Sequence, residues 1–591
     1  MSQTWQLKPP VEHSYGIYSE TFGGELLSQP GRIAIQAHIF YLDLLDDMAA
    51  YCANMPYKFD ALISIIDGEA EGKVHDAFKK IPNAEKVIVR AVPNRGRDVA
   101  PFLVGFADLL PEYDFALHIH SKKSLHTGSE LQSWRNYLFD ALLGSPESIR
   151  QIFKSFDDDK SVGVIYPRPA ENVFYASFTW LSNRDAGRKL LSRAGIPPNK
   201  TDYFDFPAGT MFWARTQVIG KFFSIGLTLE DFPTEQGQKD GTIAHAFERS
   251  ILLAARAQGM KCYEFDPKTF TYSVNGGSKN LWQYYGRDEE EFKERIIPCN
   301  EIISFDVFDT LLMRGVAKSY HVRELVGLKV EALLGCEFDF PTLRAKAEED
   351  GDLTLDEVYK NFAELSGLDE ATCKKIRELE VSTEVSLALP RARVVDWFKA
   401  AVAAGKEVWI ICDTPLQTPD LERLLSKCGV EGYDKLLLSG ETGLRKDTAT
   451  IWNQLEERAE DFIHIGDDEV SDIQLPSERG LGTCHTMSAL NLFSQVPFGK
   501  NLLERLGYDM SLYAGICLGV VLAKKFHDPF GLSNRLTGDS GRLILHTWRE
   551  VGYWFCGVPS LSHSGDLEPY FKELMKTFPR RDLREIIAGA E

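Results

Sequence analysis

The run Ile302-Ile303-Ser304-Phe305-Asp306-Val307-Phe308-Asp309-Thr310 constrains the fold more than any other stretch of this chain. Its mostly apolar first four residues read as a short buried strand, and the carboxylate after them opens a loop. A strand of that kind belongs in a parallel sheet, and ligands of such sheets gather at the carboxyl ends of the strands. Asp306 is thereby presented as a nucleophile, at an edge where backbone amides and a metal can hold the phosphoryl group it attacks. The same run opens a second domain.

From about residue 30 to 290, apolar runs at Arg32 to Ile39, Ala61 to Ile66, Lys86 to Val92, Phe115 to His120 and Val162 to Tyr166 alternate with helical patterns. That alternation predicts a parallel or mostly parallel α/β sheet. The acidic stretch Asp288-Glu289-Glu290-Glu291 with Lys293-Glu294-Arg295, just before Pro298, reads as a linker. A second α/β series starts at Ile302, detours through helical sequence from about 318 to 400, and resumes at Glu407 to Cys412 and Phe462 to Ile465. The fold class expected is multidomain α/β. It comprises an extension (1–29), a first α/β domain (30–287), a linker (288–300), a second α/β domain (301–489) with a helical insert over its active site, and a helical region (490–591).

A chain of 591 residues suits about three to four domains. Its ten cysteines are scattered, without a CxxC pair or a Cys/His cluster, which fits reduced thiols in a cytoplasmic setting. No basic segment followed by an apolar core stands at the N-terminus, so no signal peptide is expected. The longest apolar stretch, Ser511 to Ala523, is shorter than the roughly 20 residues that span a bilayer and reads as a buried helix. A net charge of −20 argues against nonspecific nucleic-acid binding and against attraction of the whole molecule to an anionic membrane. Locally, Leu567 to Ile587 carries Phe571, Leu574, Phe578 and Leu583 with Lys572, Lys576, Arg580 and Arg584. That stretch suits either peripheral contact with anionic lipid or a surface helix docked on the protein, with a break at Pro579.

Four chemically distinct pieces follow one another in the second half. Asp306 is the nucleophile candidate. Cys412-Asp413-Thr414 ends a second strand, where a small donor would hold a transferred oxygen. Lys446 can neutralise the nucleophile and the phosphoryl charge. Gly466-Asp467-Asp468 with Asp472 supplies carboxylates suited to Mg2+, a hard cation. In this order they resemble the haloacid dehalogenase-like (HAD) hydrolase superfamily over roughly residues 300 to 490. The resemblance implies Mg2+ held by Asp306, the backbone carbonyl of Phe308 and Asp467, with Asp472 on a metal-bound water, Lys446 as the stabilising residue, and a helical cap that includes Thr354 to Tyr359. Two positions depart from the family pattern. Phe308 stands where ordinary HAD phosphatases carry the aspartate that protonates the leaving group, and Cys412 replaces the usual Ser or Thr. The half is therefore either a hydrolase or a HAD domain kept for structure or binding.

In the first half, Val92-Pro93-Asn94-Arg95-Gly96-Arg97-Asp98-Val99-Ala100-Pro101-Phe102 is a polar loop entering an apolar helix, suited to an anion or to a salt-bridged turn. Leu117-His118-Ile119-His120-Ser121-Lys122-Lys123 places imidazoles and ammonium groups at a sheet's carboxyl edge. Phe206 to Arg215, with Trp213, suits either stacking on a sugar or a place in the core, and Gln238 to Arg249 carries Asp240, His245 and Glu248. As an ordered set, NRGRDVAPF, HSKKS, PAGTMFWAR and DGTIAHAFER resemble the rhamnan synthesis protein F family of bacterial polysaccharide glycosyltransferases, over about 30 to 275. The resemblance implies a GT-A-like domain that moves a sugar, often rhamnose, from a nucleotide-sugar to a lipid-linked glycan at the cytoplasmic membrane face, beside other enzymes of O-antigen, capsule or rhamnan synthesis. HSKK stands where such a fold normally carries a metal-binding Asp-x-Asp, so no metal is expected for transfer. Lysines can instead offset the diphosphate charge. Glu248, Asp240 and His245, in that order, are the base candidates. Asn94, Arg95, Arg97, Asp98, His120, Lys122 and Lys123 are the donor-binding candidates.

Overall fold

The computed structural model describes residues 28–529 apart from 122–128, 171–172, 200–201, 239, 268, 270, 275–291, 350–351, 496 and 508. Lys122, Lys123 and the basic stretch 567–587 lie outside the described residues. The chain divides into two compact units, one within residues 9–284 and one from residue 285 onward.

The first unit is built on eight strands: β1 (Ile33–Ile39), β2 (Phe59–Ile65), β3 (Ala84–Ala91), β4 (Phe115–His120), β5 (Val162–Pro167), β6 (Phe212–Arg215), β7 (Lys261–Asp266) and β8 (Thr271–Val274). Their order in the sheet is β3-β2-β1-β4-β6-β5-β7-β8. The first four pair in parallel, β6 runs antiparallel between β4 and β5, and β8 runs antiparallel to β7. The sheet is thus mixed but mostly parallel, with β6 and β8 the two strands that oppose the other six. Strands β1, β2 and β4 are buried along their whole length, as strands covered on both faces must be.

Side-chain alternation explains where the polar residues go. Ile33, Ile35, Ala37 and Ile39 of β1 and Phe115, Leu117 and Ile119 of β4 pack into one apolar core, with Met48, Phe78, Phe139 and Phe153. The opposite face starts apolar at Ala34 and Ala116, under Phe102, Phe106 and Leu252. It turns polar toward the carboxyl ends, where Gln36, His38, His118 and His120 occupy the alternate positions and are still buried.

The second unit holds a five-stranded, wholly parallel sheet of β9 (Ile302–Phe305), β12 (Glu407–Cys412), β13 (Lys435–Leu438), β14 (Phe462–Gly466) and β15 (Gly482–His485), in the order β13-β12-β9-β14-β15. Phe305 is level with Ile410 of β12 and Ile465 of β14, and the Asp306 amide donates to the Ile465 carbonyl at 2.9 Å. That register brings the loops after three adjacent strands to one place.

A two-stranded antiparallel hairpin, β10 (Leu312–Arg314) with β11 (Ala388–Pro390), brackets four inserted helices at Tyr320–Leu334, Phe340–Ala347, Leu355–Ser366 and Glu370–Leu387. The third has strong local signals. Thr354 and Glu357 form a reciprocal capping box, and Gly367 ends the helix at φ 68°, a conformation that suits glycine. The insert closes at Leu387 and not near 400. The next helix, Ala392–Ala403, buries Val394, Trp397 and Phe398 in the core, with the Phe398 ring 5.5 Å from that of Phe305. Phe292, within the stretch read as a linker, stacks on Trp397 at 3.9 Å and 3° and belongs to the same core. Ser511 caps a helix at Leu512–Lys525 whose Ile516, Leu518, Val521 and Leu522 are buried. Among the described residues no helix is long and apolar enough to cross a membrane.

Candidate functional sites

In the first unit the strand order reverses between β1 and β4, the kind of switch point at which open α/β sheets bind ligands. The polar face of those strands ends there. Asp98, before the short helix Val99–Leu103, accepts from His118 Nε2 at 3.1 Å and lies 3.9 Å from His120 Nε2. Both imidazoles hold the Asp98 carboxyl well below the usual carboxylate range despite its burial. Behind it a buried file continues across the sheet. His118 Nδ1 meets Gln36 Oε1 at 2.6 Å, Gln36 Nε2 donates to Ser64 Oγ at 3.2 Å, and Ser64 Oγ meets His38 Nδ1 at 3.0 Å. With every member paired, the file fixes Asp98 rigidly.

A second group joins from the helix Ile243–Ala257. Glu248 Oε1 accepts the Gly209 amide at 2.7 Å, and the Gly209 carbonyl lies 2.9 Å from His120 Nε2, so Glu248 and His120 grip one peptide loop from two sides. Asp240 accepts from Asn183 Nδ2 at 2.5 Å and has Arg249 Nη2 at 3.6 Å and His245 Nδ1 at 3.8 Å. His245 Nδ1 meets Thr242 Oγ1 at 2.8 Å, whereas its Nε2, in a residue only 8 % exposed, has no hydrogen-bond partner among the described residues. Burial, with the nearby Arg97 charge, lowers His245 to about 4. Arg97, Leu181 and Thr210, none of them glycine, take positive φ of 54°, 47° and 57° in the loops that carry this group. Left-handed backbone at such residues stores strain that functional sites commonly hold.

Sequence reasoning and structure part at several residues. Trp213 is fully buried, donates Nε1–H to the Leu142 carbonyl at 3.2 Å and packs edge-on to Phe153, so it is core and offers no face to a sugar. Arg95 spends its Nε on the Phe232 carbonyl at 2.5 Å, and Arg97 donates to the Gln238 carbonyl and, through its backbone, to Glu235 at 3.1 Å. These arginines brace the 232–238 loop first, with Arg97 and Asn94 remaining exposed. His118, Gln36, Asn183 and Arg249 were not among the candidates. The imidazole of His118 was visible in the LHIH run, while Asn183 sits in a sequence without any local signal.

In the second unit the four expected pieces meet. Lys446 Nζ lies 2.5 Å from Asp306 Oδ1 and 2.6 Å from Asp472 Oδ1. Asp472 also accepts the Asp468 amide at 3.1 Å and faces His464 Nε2 at 3.2 Å, and His464 Nδ1 meets Ser304 Oγ at 2.8 Å. Asp467 accepts from Thr310 Oγ1 at 3.1 Å. Burial lifts the Asp306 carboxyl to about 7 against the pull of Lys446. Burial and the neighbouring carboxylates, Asp309 foremost, raise Asp467 as well.

Oxygens of Asp306, Asp467 and Asp472 lie within 4.8 Å of one another. An all-oxygen set of two buried and one half-buried carboxylates is the kind of ligand group a hard divalent cation prefers, so the residues fit Mg2+. Two further assignments change. Asp413 accepts the backbone amides of Lys446, at 3.0 Å, and Asp447, at 3.2 Å, and so positions the lysine. Cys412 is 1 % exposed, and burial pushes its thiol well above its ordinary value, leaving an SH near Asp306. Phe308 is half-buried with the Arg314 guanidinium 3.8 Å over its ring.

Residues 19–260 match the model of the family described as Rhamnan synthesis protein F. Over 224 residues the chain is 34 % identical to the uncharacterized protein WxcX of Xanthomonas campestris pv. campestris strain B100, and 33 % to that of a second strain. The match covers 38 % of this chain and spans 31 % of the relative. Among solved structures, a HAD-like family hydrolase from Xanthomonas campestris is 19 % identical, with 32 % of this chain and 83 % of that chain covered at a TM-score of 0.23. A hydrolase from Streptococcus pneumoniae is 18 % identical, with 33 % and 96 % covered at 0.21.

Proposed function

We propose that the first unit is a GT-A-like glycosyltransferase of bacterial cell-surface polysaccharide synthesis and that the second is a HAD-type phosphohydrolase. The family match over 19–260 supports the polysaccharide role. The observation that carries the transfer chemistry is the buried Nε2 of His245, which has no hydrogen-bond partner among the described residues and lies within electrostatic reach of Arg97 and Asp98.

An inverting transfer needs a group that takes the acceptor hydroxyl proton. Of the three base candidates, Glu248 accepts the Gly209 amide and Asp240 accepts from Asn183, whereas His245 Nε2 makes no hydrogen bond among the described residues. At neutral pH it is uncharged, and Arg97 holds it low. A diphosphate bound near Arg97 cancels part of that charge and lifts His245 toward the range in which it works as a base. Glu248 and His120 hold the Gly209 loop beneath the donor, and Lys122 and Lys123, next after β4, are the proposed partners of the diphosphate. The donor is a nucleotide-sugar, rhamnose being one candidate, and the acceptor a lipid-linked glycan, with peripheral membrane contact and neighbouring synthesis enzymes as the setting.

In the second unit Asp306 is the nucleophile. Lys446 holds it in line and offsets the charge gathered on the phosphoryl oxygens, Asp413 fixes the lysine loop, and His464 with the Asp468 amide orients Asp472. Mg2+, held by Asp306, Asp467 and the Phe308 carbonyl with Asp472 behind, would supply electrostatic stabilisation of the phosphoryl group.

Donor-dependent release of nucleoside diphosphate, lost in His245→Gln and kept in Asp306→Asn, is the expected result. Release that survives His245→Gln unchanged removes the histidine from the reaction.

A further inference from the structure

Resting on the phosphohydrolase reading of the second unit, we propose that its substrates are phosphoanhydrides, whose leaving group departs as an anion, and not phosphate esters of sugars or other alcohols. The observation is what stands at the position two residues after the nucleophile. Phe308 has no proton to give, and its ring is covered by the Arg314 guanidinium at 3.8 Å. The carboxyl that the insert brings to that arginine, Glu384, accepts from Arg314 Nε at 2.9 Å and Nη2 at 3.2 Å. That bidentate pair engages both Glu384 oxygens with the guanidinium, so neither is left to serve a leaving group.

Asp309, the next carboxyl along the chain, stands one residue beyond that position, where its backbone sits at φ 58° and its carbonyl accepts from the buried Arg391. At the position two residues after Asp306 the loop therefore presents an apolar ring beneath a guanidinium, and no proton.

Leaving-group chemistry then selects the substrate. An alkoxide must be protonated as it leaves, since alcohols hold their proton nearly as tightly as water does. A phosphate oxygen takes its second proton only at about 6 and leaves unaided at neutral pH. In the proposed reaction an Asp306 oxygen attacks the terminal phosphorus of a nucleoside diphosphate. The bond from that phosphorus to the bridging oxygen breaks, and its electron pair departs with the nucleoside monophosphate, which needs no proton. Water then attacks the phosphorus of the aspartyl phosphate. The carboxylate is restored, orthophosphate is released, and the water's proton leaves with the phosphate. A nucleoside diphosphate is also what sugar transfer releases, so this site would consume the product of a transferase step.

The test is phosphate release by the full chain with Mg2+ from a nucleoside diphosphate, pyrophosphate, acetyl phosphate and a hexose phosphate, alongside Asp306→Asn. Turnover of the anhydrides at least 100-fold above the hexose phosphate, lost in Asp306→Asn, is expected. Phe308→Asp should raise hexose phosphate turnover by about 10²- to 10⁴-fold, the contribution of a general acid, with little gain on the anhydrides. Equal turnover of hexose phosphate and anhydride by the unmodified protein overturns the proposal and leaves the hydrolase reading standing. No Asp306-dependent release from any substrate overturns the hydrolase reading itself. Turnover of acetyl phosphate alone would refute the nucleotide as substrate.

Discussion

Lys446 Nζ lies 2.5 Å from the Asp306 carboxylate across 140 residues of sequence, and it is shared with Asp472. Both carboxylates are less than 10 % exposed, so the ammonium is the charge that lets them stay buried together. Lys446→Met should destabilise the second unit by about 3–5 kcal/mol, the usual cost of leaving one side of a buried ion pair. The same variant should gain more thermal stabilisation from Mg2+ than the unmodified protein, because the ion replaces the lost charge. Urea unfolding and thermal shifts with and without Mg2+ measure both, and a loss under about 1 kcal/mol would show that the carboxylates share a proton instead.

Trp213 decides between core and sugar platform in the first unit. It is wholly buried, so Trp213→Ala should cost about 3–5 kcal/mol. Trp213→Phe keeps most of the volume and loses the bond to Leu142, and should cost about 1–2 kcal/mol with donor affinity unchanged. Calorimetric titration of a nucleotide-sugar into Trp213→Phe checks this, and a tenfold weaker affinity in a stable variant would return the indole to the binding site.

Legibility followed the physics of burial. Phe115–His120 and Glu407–Cys412 have the bounds their apolar runs predict, because strands covered on both faces leave continuous hydrophobic signals. Lys261–Asp266 gave no such signal, since its Glu264 and Asp266 are buried charges that break the pattern. Phe212–Arg215 spans only four residues, and nothing local announces that it runs antiparallel. In the second unit Asp306, Lys446, Asp467 and Asp472 were readable because each follows a recognisable strand or turn. In the first unit the file of Gln36, Ser64 and His38 exists only through strand register, which a linear reading does not supply.

Glu248 heads the base candidates in the sequence, yet its carboxylate accepts the Gly209 amide. Glu248→Gln preserves an acceptor there and should keep turnover within about tenfold, whereas Glu248→Ala frees the loop and should lower it further. A base would lose its function in both variants. Donor-dependent nucleotide release, with the unfolding midpoint as a control for folding, separates the cases. Loss in Glu248→Gln at the level of Glu248→Ala, without loss of stability, would give the proton to Glu248 and not to His245.

His38 ties the stability of the first unit to pH. Burial lowers it to about 4 from its ordinary 6.5, with His118 and His120 adding to the effect against Asp98. Because the folded-state value is depressed, the unfolded chain binds the proton more tightly. Folding therefore loses nothing above about 6.5, weakens as pH falls from there, and reaches its full loss below about 4. A gap of that size corresponds to about 3 kcal/mol. Replacing the imidazole by an uncharged amide in His38→Asn removes this proton-linked loss, whatever it does to stability at pH 7. Urea midpoints for the first unit's transition, measured from pH 7.5 to 4, should fall more steeply in the unmodified protein than in His38→Asn. Parallel curves would mean that the imidazole is already protonated in the folded state, with the carboxylate of Asp98 carrying its charge.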